Sequence, residues 1–209
     1  MKTYTVKLLA SPEIDWSAVD TALIDAYLWE SDYRPEAGAQ VVYVKSGDER
    51  EGIYSHLWCI ESNPRAIYTK HNDPVFKDSC LEFFFTMNAP GAEKNGYINI
   101  ESNSNPTTLI GFGHDRYDRV PLVHLGIEPF RVTGTKTPDR WDIYEFIPLE
   151  ALQKVFHISS VDESTEFAGN FYKCGGDHRI LPYGMWSKVD SPTPDFHRPD
   201  CFGKFILTR

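Results

Sequence analysis

The chain has 209 residues, of which 41% are hydrophobic and 14% aromatic, so it can bury a sizeable core, and the sequence predicts a single domain over residues 1–209. The formal net charge of −9 disfavours nucleic acid and anionic membranes as partners, because both attract clustered lysine and arginine side chains. A neutral or cationic ligand is favoured instead, and the oligomeric state is left open.

The N-terminal segment gives an expectation about cellular location. Its apolar run, within residues 1–10, is too short and too interrupted for a signal peptide, and no later window reaches the length of a membrane span. A cytoplasmic protein is therefore expected, although a secreted chain without its signal peptide would look the same. The cysteines have no CxxC spacing, and in a reducing compartment we expect four free thiols, at Cys59, Cys80, Cys174 and Cys201.

The first third of the chain predicts mainly β-strands. Residues Tyr4 to Leu8 alternate as in an edge strand. The next stretch supports two interpretations, a short helix capped by Ser17 or a strand that begins at Leu28. Two further runs, Ala39–Val44 and Gly52–Glu61, flank a charged turn and predict a hairpin.

The central element is a pair of strands within residues 73–101, separated by a Pro-, Gly- and Asn-rich connection over residues 88–96. A side-chain period of two sorts their residues onto two faces. One face is apolar and predicts a core: Leu81, Phe83, Phe85, Ile98 and Ile100. The other carries Glu82, Asn99 and Glu101, which form either a functional surface or the solvated side of an antiparallel sheet.

The remaining elements continue this pattern. The segment from residue 114 to residue 129 is charged, lacks periodicity and predicts a long loop, and Pro148 opens a short helix over Leu149–Phe156. The predicted strands are Thr107–Gly113, Phe130–Thr135, Trp141–Ile147, Glu166–Lys173, Gly184–Lys188 and Phe202–Leu207. Roughly ten short strands with one convincing helix predict an antiparallel β-sandwich or barrel.

No metal or cofactor is indicated by a diagnostic motif. The seven histidines show no HxH or HxxxH spacing, although calcium stays open because oxygen ligands from scattered loops leave little signature. There is neither a GxSxG elbow nor a complete phosphate-binding loop. Glu82 and Glu101 can lie on adjacent strands, and the two catalytic carboxyls of a glycosidase must lie close together, so hydrolysis is compatible with this pair. Acidic residues on a sheet face also bind sugar hydroxyls without catalysis.

The aromatic residues fall into two groups. Four tryptophans sit among apolar neighbours and are predicted to fill the core: Trp16, Trp29, Trp141 and Trp186. Phe76 and Phe196 lie in polar loops that contain proline, where a core role is less natural. An aromatic face in such a loop can stack on the C–H face of a pyranose ring.

Several motifs together resemble those of the family 9 carbohydrate-binding modules. Residues 75–82, Val-Phe-Lys-Asp-Ser-Cys-Leu-Glu, are similar to the family's aromatic residue followed by Asp-Ser-Val-Glu, and residues 195–203 are similar to its terminal Pro-x-x-Phe-Gly strand. The strand and helix over residues 141–152 and the Trp186-Ser187 pair also fit. The resemblance spans about residues 39–207 and implies a DOMON-like antiparallel β-sandwich with one or two short helices.

The resemblance also implies a ligand site. In that family two tryptophans sandwich a terminal sugar ring, and the spacing places Phe76 and Phe196 at their positions, with the family's glutamate at Glu82. A family acidic residue falls near Asn63, and structural calcium is common in the family. The implied ligand-binding residues are Phe76, Glu82, Phe196, Asn63, Asn99, Tyr172, His197 and Arg198, and the flanking thiols of Cys80 and Cys201 are expected near the cleft.

Three functions are compatible with this pattern. The first is a non-catalytic domain that binds a mono- or oligosaccharide through an aromatic clamp and needs no cofactor. The second is a small hydrolase or isomerase acting on a sugar or polyol, with Glu82 or Glu101 as general base and His197 as acid. The third is a structural accessory domain whose cleft is filled by its own side chains.

Overall fold

The computed structural model describes residues 1–91 and 96–209, which form thirteen strands, one α-helix and four short 3-10 helices. The strands are β1 (Thr3–Leu9), β2 (Ala22–Leu23), β3 (Ala37–Val44), β4 (Gly52–Ile60), β5 (Cys80–Asn88), β6 (Tyr97–Asn103), β7 (Thr108–Gly113), β8 (Val120–Pro121), β9 (Arg131–Lys136), β10 (Arg140–Pro148), β11 (Glu166–Cys174), β12 (Gly184–Met185) and β13 (Gly203–Thr208). The helix α1 covers Leu149–Phe156, and the 3-10 helices cover Trp16–Ala18, Val75–Lys77, Leu122–Leu125 and Pro199–Cys201.

The strands form one curled sheet whose two halves face each other as a sandwich. Their order is β8-β7-β6-β5-β11-β13-β1-β3-β4-β10-β9, with β2 beside β3 and β12 beside β11. The all-β sandwich predicted from the sequence is confirmed, as are the hairpin β3-β4 and the bounds of α1, and the strands predicted over Phe130–Thr135 and Trp141–Ile147 pair as the hairpin β9-β10. In the described part of the chain, no helix is long and apolar enough to span a membrane.

Strand β1 connects the two halves of the sandwich. Residues Thr3–Lys7 pair in parallel with β13, and residues Lys7–Leu9 pair in parallel with β3. The sequence prediction that this segment is an edge strand is therefore wrong. Its partners lie about 200 and 35 residues further along the chain, so alternation within the segment carries no information about them.

The core lies between the two halves, where the alternation predicted for the central strands is confirmed. Leu81, Phe83 and Phe85 of β5 and the two isoleucines of β6 are fully buried in one hydrophobic cluster. Helix α1 closes an end of this cluster, and its Phe156 ring lies 5.8 Å from the Phe85 ring. At about 25 cal/mol per Å² of apolar area removed from water, these large side chains supply much of the driving force for folding.

The buried carboxyl group of Glu145 links the two halves of the sandwich by hydrogen bonds. Glu145 of β10 is 2% exposed, and its carboxyl oxygens accept hydrogen bonds from Ser55 Oγ of β4 at 2.6 Å and from Ser102 Oγ of β6 at 3.2 Å. Burial raises the pKa of Glu145 from 4.5 to about 7, and the two hydroxyl donors only partly oppose that rise.

Several local predictions differ from the structure. Trp141 and Trp186 are buried as expected, but Trp16 and Trp29 are only half-buried. The 3-10 helix at Trp16–Ala18 is capped by Asp15, whose carboxylate accepts from the backbone N–H of Ser17 at 3.0 Å, so Ser17 is not the cap.

Three further segments complete the comparison with the predicted elements. No strand begins at Leu28. The segment predicted as a long loop after residue 113 contains β8 and a 3-10 helix, and the strand predicted over Gly184–Lys188 is limited to the two residues of β12. Of the connection predicted over residues 88–96, the part at residues 92–95 lies outside the described residues.

Candidate functional site

The polar face of the central strands is covered by loops and is not the solvated side of the sheet. Glu82, Asn99 and Glu101 are each no more than 5% exposed. A second hydrophobic cluster packs on the same face and includes Phe84, Tyr172 and Phe196. The side chains on this face are therefore held in a protein interior, where polar groups need partners.

A cavity of about 800 Å³ opens within this covered face. Its walls come from β5, β6 and β7, from the loops around residues 65–77 and 116–121, and from the loops over residues 174–183 and 194–197. The lining residues are Arg65, Asn72, Phe76, Lys77, Glu82, Asn99, Glu101, Leu109, Ile110, Gly111, Arg116, Arg119, Pro121, Cys174, Gly175, Gly176, Asp177, Leu181, Tyr183, Pro194, Asp195, Phe196 and His197. A cavity of this size accommodates a small organic ligand.

Five of the eight ligand-binding residues predicted from the sequence line this cavity. They are Phe76, Glu82, Asn99, Phe196 and His197. They come from two adjacent strands and from two loops separated by about 120 residues in sequence, so only the tertiary fold brings them together.

The two phenylalanines have different environments. Phe76 lies in the 3-10 helix Val75–Lys77 and is 43% exposed. Phe196 is 8% exposed, and its ring stacks on the Tyr172 ring at 4.0 Å with an interplanar angle of 13°. Tyr172 is fully buried, and its hydroxyl donates to the Phe196 carbonyl oxygen at 3.1 Å. Tyr172 thus supports the wall of the cavity from behind and does not line it.

Asn63 and Arg198 lie outside the cavity lining. Asn63 is exposed and has a φ of 52°, a left-handed conformation that asparagine adopts in turns. The Arg198 guanidinium binds the Asp200 carboxylate at 2.7 Å and donates to the Asp190 carbonyl oxygen at 2.6 Å. These local partners direct Arg198 away from the site, although its neighbour His197 contributes to it.

The position of Phe76 depends on a close approach of two chain segments. Strand β11 ends at Cys174, and Gly175 follows with a φ of 72°. A Cβ atom at Gly175 would overlap the carbonyl oxygen of Asp78 and lie 2.7 Å from that of Phe76. The Cys174 sulfur lies 3.5 Å from the same Phe76 carbonyl oxygen. Only glycine meets both the backbone and the space requirements here.

Glu82 and Glu101 face each other on adjacent strands at the cavity floor. They are directly opposite in the β5-β6 pairing. The Cys174 thiol donates to Glu82 Oε1 at 2.8 Å. Burial, followed by the neighbouring Cys174 and Glu101, raises the pKa of Glu82 well above its usual value. Glu82 is therefore protonated at neutral pH.

Glu101 belongs to a polar network with Asn99 and Arg119. Asn99 Nδ2 donates to Glu101 Oε1 at 2.9 Å, whereas Glu101 Oε2 is buried and has no hydrogen-bond partner within residues 1–91 and 96–209. Burial raises the pKa of Glu101 to about 7, although the Asn99 hydrogen bond and the Arg119 and Arg116 charges oppose that rise.

Arg119 is a site residue that the sequence did not indicate. Its Nη2 donates to the carbonyl oxygens of Tyr97 at 3.1 Å and Gly111 at 2.9 Å and to the side-chain oxygen of Asn99. Its Nε and Nη1 are buried and have no acceptor among the residues that the structure describes, and the guanidinium lies 4.2 Å from the centre of the Tyr97 ring. The available signal was the pair of arginines within the charged loop, Arg116 and Arg119, but nothing local places that loop over β6.

His197 is held in its uncharged form at neutral pH. Its Nδ1 shares a hydrogen bond of 2.8 Å with the Tyr97 hydroxyl. Burial, reinforced by the Arg119 charge, lowers the pKa of His197 to about 4. It can therefore exchange neutral hydrogen bonds with a ligand.

The thiols nearest the cavity are arranged differently from the prediction. All four cysteines are free. Cys174 lines the cavity, Cys80 lies opposite it in the β5-β11 pairing, and Cys201 is not among the lining residues. Burial raises the pKa of Cys80 to about 12, and a hydrogen bond to Cys80, followed by burial, raises the pKa of Cys174. Both are therefore protonated at neutral pH.

The donor set does not fit structural calcium. Cys80, Glu82 and Cys174 place one possible ligand atom each within 4.8 Å of one another, and two thiols with one carboxyl differ from the six to eight oxygens that calcium prefers. Within residues 1–91 and 96–209 no group of three carboxylates comes this close. No residue is therefore assigned to calcium.

Together, the fold and the cavity define a β-sandwich with a deep site that combines aromatic walls with buried hydrogen-bonding groups. Residues 7–207 match the sequence profile described as Carbohydrate-binding family 9, and the chain belongs to this family. No curated protein sequence matches the chain.

Two solved structures share the fold. One is a protein from Bacteroides uniformis that was proposed to bind carbohydrate, with a TM-score of 0.78, 24% identity and 99% of each chain covered. The other is a carbohydrate-binding module of family 9 from Caldicellulosiruptor kristjanssonii in complex with cellotriose, with a TM-score of 0.64, 15% identity, and 99% of this chain and 93% of that chain covered.

Proposed function

We propose that this protein is a non-catalytic domain that binds a mono- or oligosaccharide in the cavity above β5 and β6. Membership of carbohydrate-binding family 9 supports the ligand class, and so does the related module that was solved with cellotriose. Phe76 provides an exposed ring for stacking on a pyranose, and Phe196, backed by Tyr172, provides a second aromatic wall.

The observation that carries the proposal is the set of buried polar atoms without partners in the cavity. Glu101 Oε2 and the Nε and Nη1 atoms of Arg119 all lack hydrogen-bond partners among the described residues. An unsatisfied buried polar group costs about 1–3 kcal/mol, so a ligand rich in hydroxyl and ring oxygens is a natural partner for these atoms. Asn99 and His197 add further hydrogen-bonding groups at the same wall.

The test is a binding screen of mono- and disaccharides by thermal shift, followed by titration calorimetry of each hit. A saccharide present at 100 times its dissociation constant stabilises the protein by about 2.7 kcal/mol. Phe76→Ala is expected to weaken binding at least about tenfold, which corresponds to about 1.4 kcal/mol. Tyr117→Ala is the matched control, because Tyr117 is 92% exposed and is not among the cavity-lining residues. Equal losses in both variants, or no saccharide bound at millimolar concentration, would refute the proposal.

An enzymatic role is the second candidate, because Glu82 and Glu101 are directly opposite on adjacent strands. Side chains at such positions lie about 5 Å apart at their Cβ atoms, which is compatible with a pair of catalytic carboxyls. Against this role, both project from one face of one sheet, whereas glycosidase carboxyls flank the scissile bond. Chromatography of saccharides incubated with the protein should detect no products. Products that disappear in Glu82→Gln would favour the enzyme.

A further inference from the structure

The charges around the cavity are not those expected from the whole chain. The protein has a formal net charge of −9, yet four cationic residues line the cavity: Arg65, Lys77, Arg116 and Arg119. Four acidic residues also line it: Glu82, Glu101, Asp177 and Asp195. The balance of charge therefore depends on which of these groups are already paired or uncharged.

Two of the cationic residues are paired with carboxylates, and one of them, Arg65, also lies with its Nε 3.3 Å from Oδ1 of the buried Asp78. Arg65 Nη1 lies 2.6 Å from Asp177 Oδ1, and Arg116 Nη1 lies 3.6 Å from Asp195 Oδ1. Within the described ranges, no ion pair to Lys77 or Arg119 is found. The two remaining acids, Glu82 and Glu101, are buried with raised pKa values, so they offer little negative charge below neutral pH. Below neutral pH, Lys77 and Arg119 are therefore two cationic lining residues whose charge no described carboxylate pairs.

Arg119 is prepared to receive an anion. Three oxygen atoms fix its Nη2, and the Tyr97 ring at 4.2 Å fixes the plane of the guanidinium. None of these contacts is with a carboxylate. Its Nε and Nη1 remain without acceptors. A guanidinium held in place by its other contacts loses little side-chain entropy on binding a carboxylate and forms charge-assisted hydrogen bonds with it.

Glu101 has a complementary requirement. Its Oε1 accepts from Asn99, and its Oε2 has no partner. In the protonated form, Oε2 carries the hydrogen atom and needs an acceptor, as Arg119 does. The unpartnered atoms at this end of the cavity are therefore all satisfied by one acceptor-rich, negatively charged group.

From this arrangement we infer that the saccharide carries a carboxylate, as a uronic acid does, and that Arg119 binds this carboxylate while Glu101 donates to it. The inference rests on the proposed saccharide function and defines its ligand class more narrowly. It also replaces the neutral or cationic ligand expected from net charge alone, because that charge is distributed over the whole surface and does not describe the cavity.

The test compares galacturonic acid with galactose, and glucuronic acid with glucose, by titration calorimetry at pH 6 in 50 mM salt. We expect each uronic acid to bind at least about tenfold more tightly than its neutral counterpart, as for a charge-assisted contact. Galactose 6-sulfate is included because a sulfate ester also presents an anion. We expect its affinity to lie below that of galacturonic acid, since Glu101 donates less strongly to the weaker acceptor.

Variants separate the role of Arg119 from a general effect of charge. Arg119→Gln should abolish the preference for the uronic acid, and Arg119→Lys should retain part of it. Arg179→Gln is the matched control, because the Arg179 side chain is 83% exposed and is not among the lining residues, so it removes the same charge elsewhere. Thermal melts establish that each variant is folded.

The pH dependence provides an independent readout. Glu101 has a raised pKa of about 7, so it is protonated below that pH and ionised above it. Affinity for the uronic acid should therefore fall as the pH rises from 6 to 8.5, and Glu101→Gln should flatten this dependence. Equal affinities for acidic and neutral sugars in the wild-type protein would overturn the inference but leave the proposed function intact. Binding of the sulfate ester above the uronic acid would also overturn it. A lack of binding to every saccharide would overturn both.

Discussion

The buried Glu145 carboxyl gives a quantitative prediction about stability and pH. Burial raises its pKa from 4.5 to about 7, and its hydrogen-bond partners in the described part of the chain are the Ser55 and Ser102 hydroxyls. A change of this size corresponds to about 3 kcal/mol of penalty on the ionised form in the folded state. Glu145→Gln retains the size and hydrogen-bonding capacity of the side chain and removes the ionisation.

The direction of the effect follows from proton linkage. Below pH 4.5 the carboxyl is protonated in both states, so its ionisation has no effect on stability. Between pH 4.5 and about 7 the unfolded chain releases the proton while the folded protein retains it, and the stability of the wild-type protein falls as pH rises. Above about pH 7 the full penalty applies. The free energy of unfolding of Glu145→Gln relative to wild type should therefore increase by about 3 kcal/mol between pH 4.5 and pH 8.

The assay is urea unfolding monitored by tryptophan fluorescence at several pH values for wild type, Glu145→Gln and Glu150→Gln. Glu150 is an exposed residue of α1, so its replacement removes one carboxyl without changing the core. Comparison with wild type cancels the contributions of the other titrating groups, including the buried carboxyls of the cavity. A difference between wild type and Glu145→Gln that stays constant with pH would refute the reasoning.

The other predictions concern the cavity and its supports. Phe196→Ala should lower the free energy of unfolding by about 3 kcal/mol, because Phe196 is packed on Tyr172. Phe76→Ala should lower it by about 1 kcal/mol or less, because Phe76 is 43% exposed. Equal losses for the two variants in urea unfolding would contradict this difference. Gly175→Ala should lower the free energy of unfolding by at least about 2 kcal/mol and weaken saccharide binding, since the new methyl group displaces the turn that carries Phe76. A variant with the wild-type melting temperature would contradict this prediction. Titration with a thiol reagent in denaturant should count four free thiols, and a lower number would indicate a disulfide.

The parts of the site that the sequence predicted are those set by local periodicity. Glu82 and Asn99 share the face opposite Leu81 and Ile98 because side chains alternate along any strand, and the alternation is visible in the residues themselves. The bounds of α1 were predictable for the same reason, since Pro148 and a regular apolar stripe mark it locally.

The parts that the sequence did not predict depend on contacts between distant segments. Arg119 reaches the site because its loop folds over β6, and no periodicity within that loop records the fact. Phe196 appeared to be an exposed loop aromatic, but its partner Tyr172 lies 24 residues earlier on a buried strand. Asn63 was selected by its place in the motif order, which does not record the turn that leaves it exposed.

The position of β1 affects how the chain folds during synthesis. Thr3 pairs with Lys204, so β1 has a partner that is made about 200 residues later. At about 5–20 residues per second, this interval is about 10–40 s. Until β13 emerges, one side of β1 has no partner along Thr3–Lys7, and the two halves of the sandwich cannot be joined through it. Final closure of the sandwich must therefore wait until β13 has been synthesised, and the nascent chain carries an open strand edge until then.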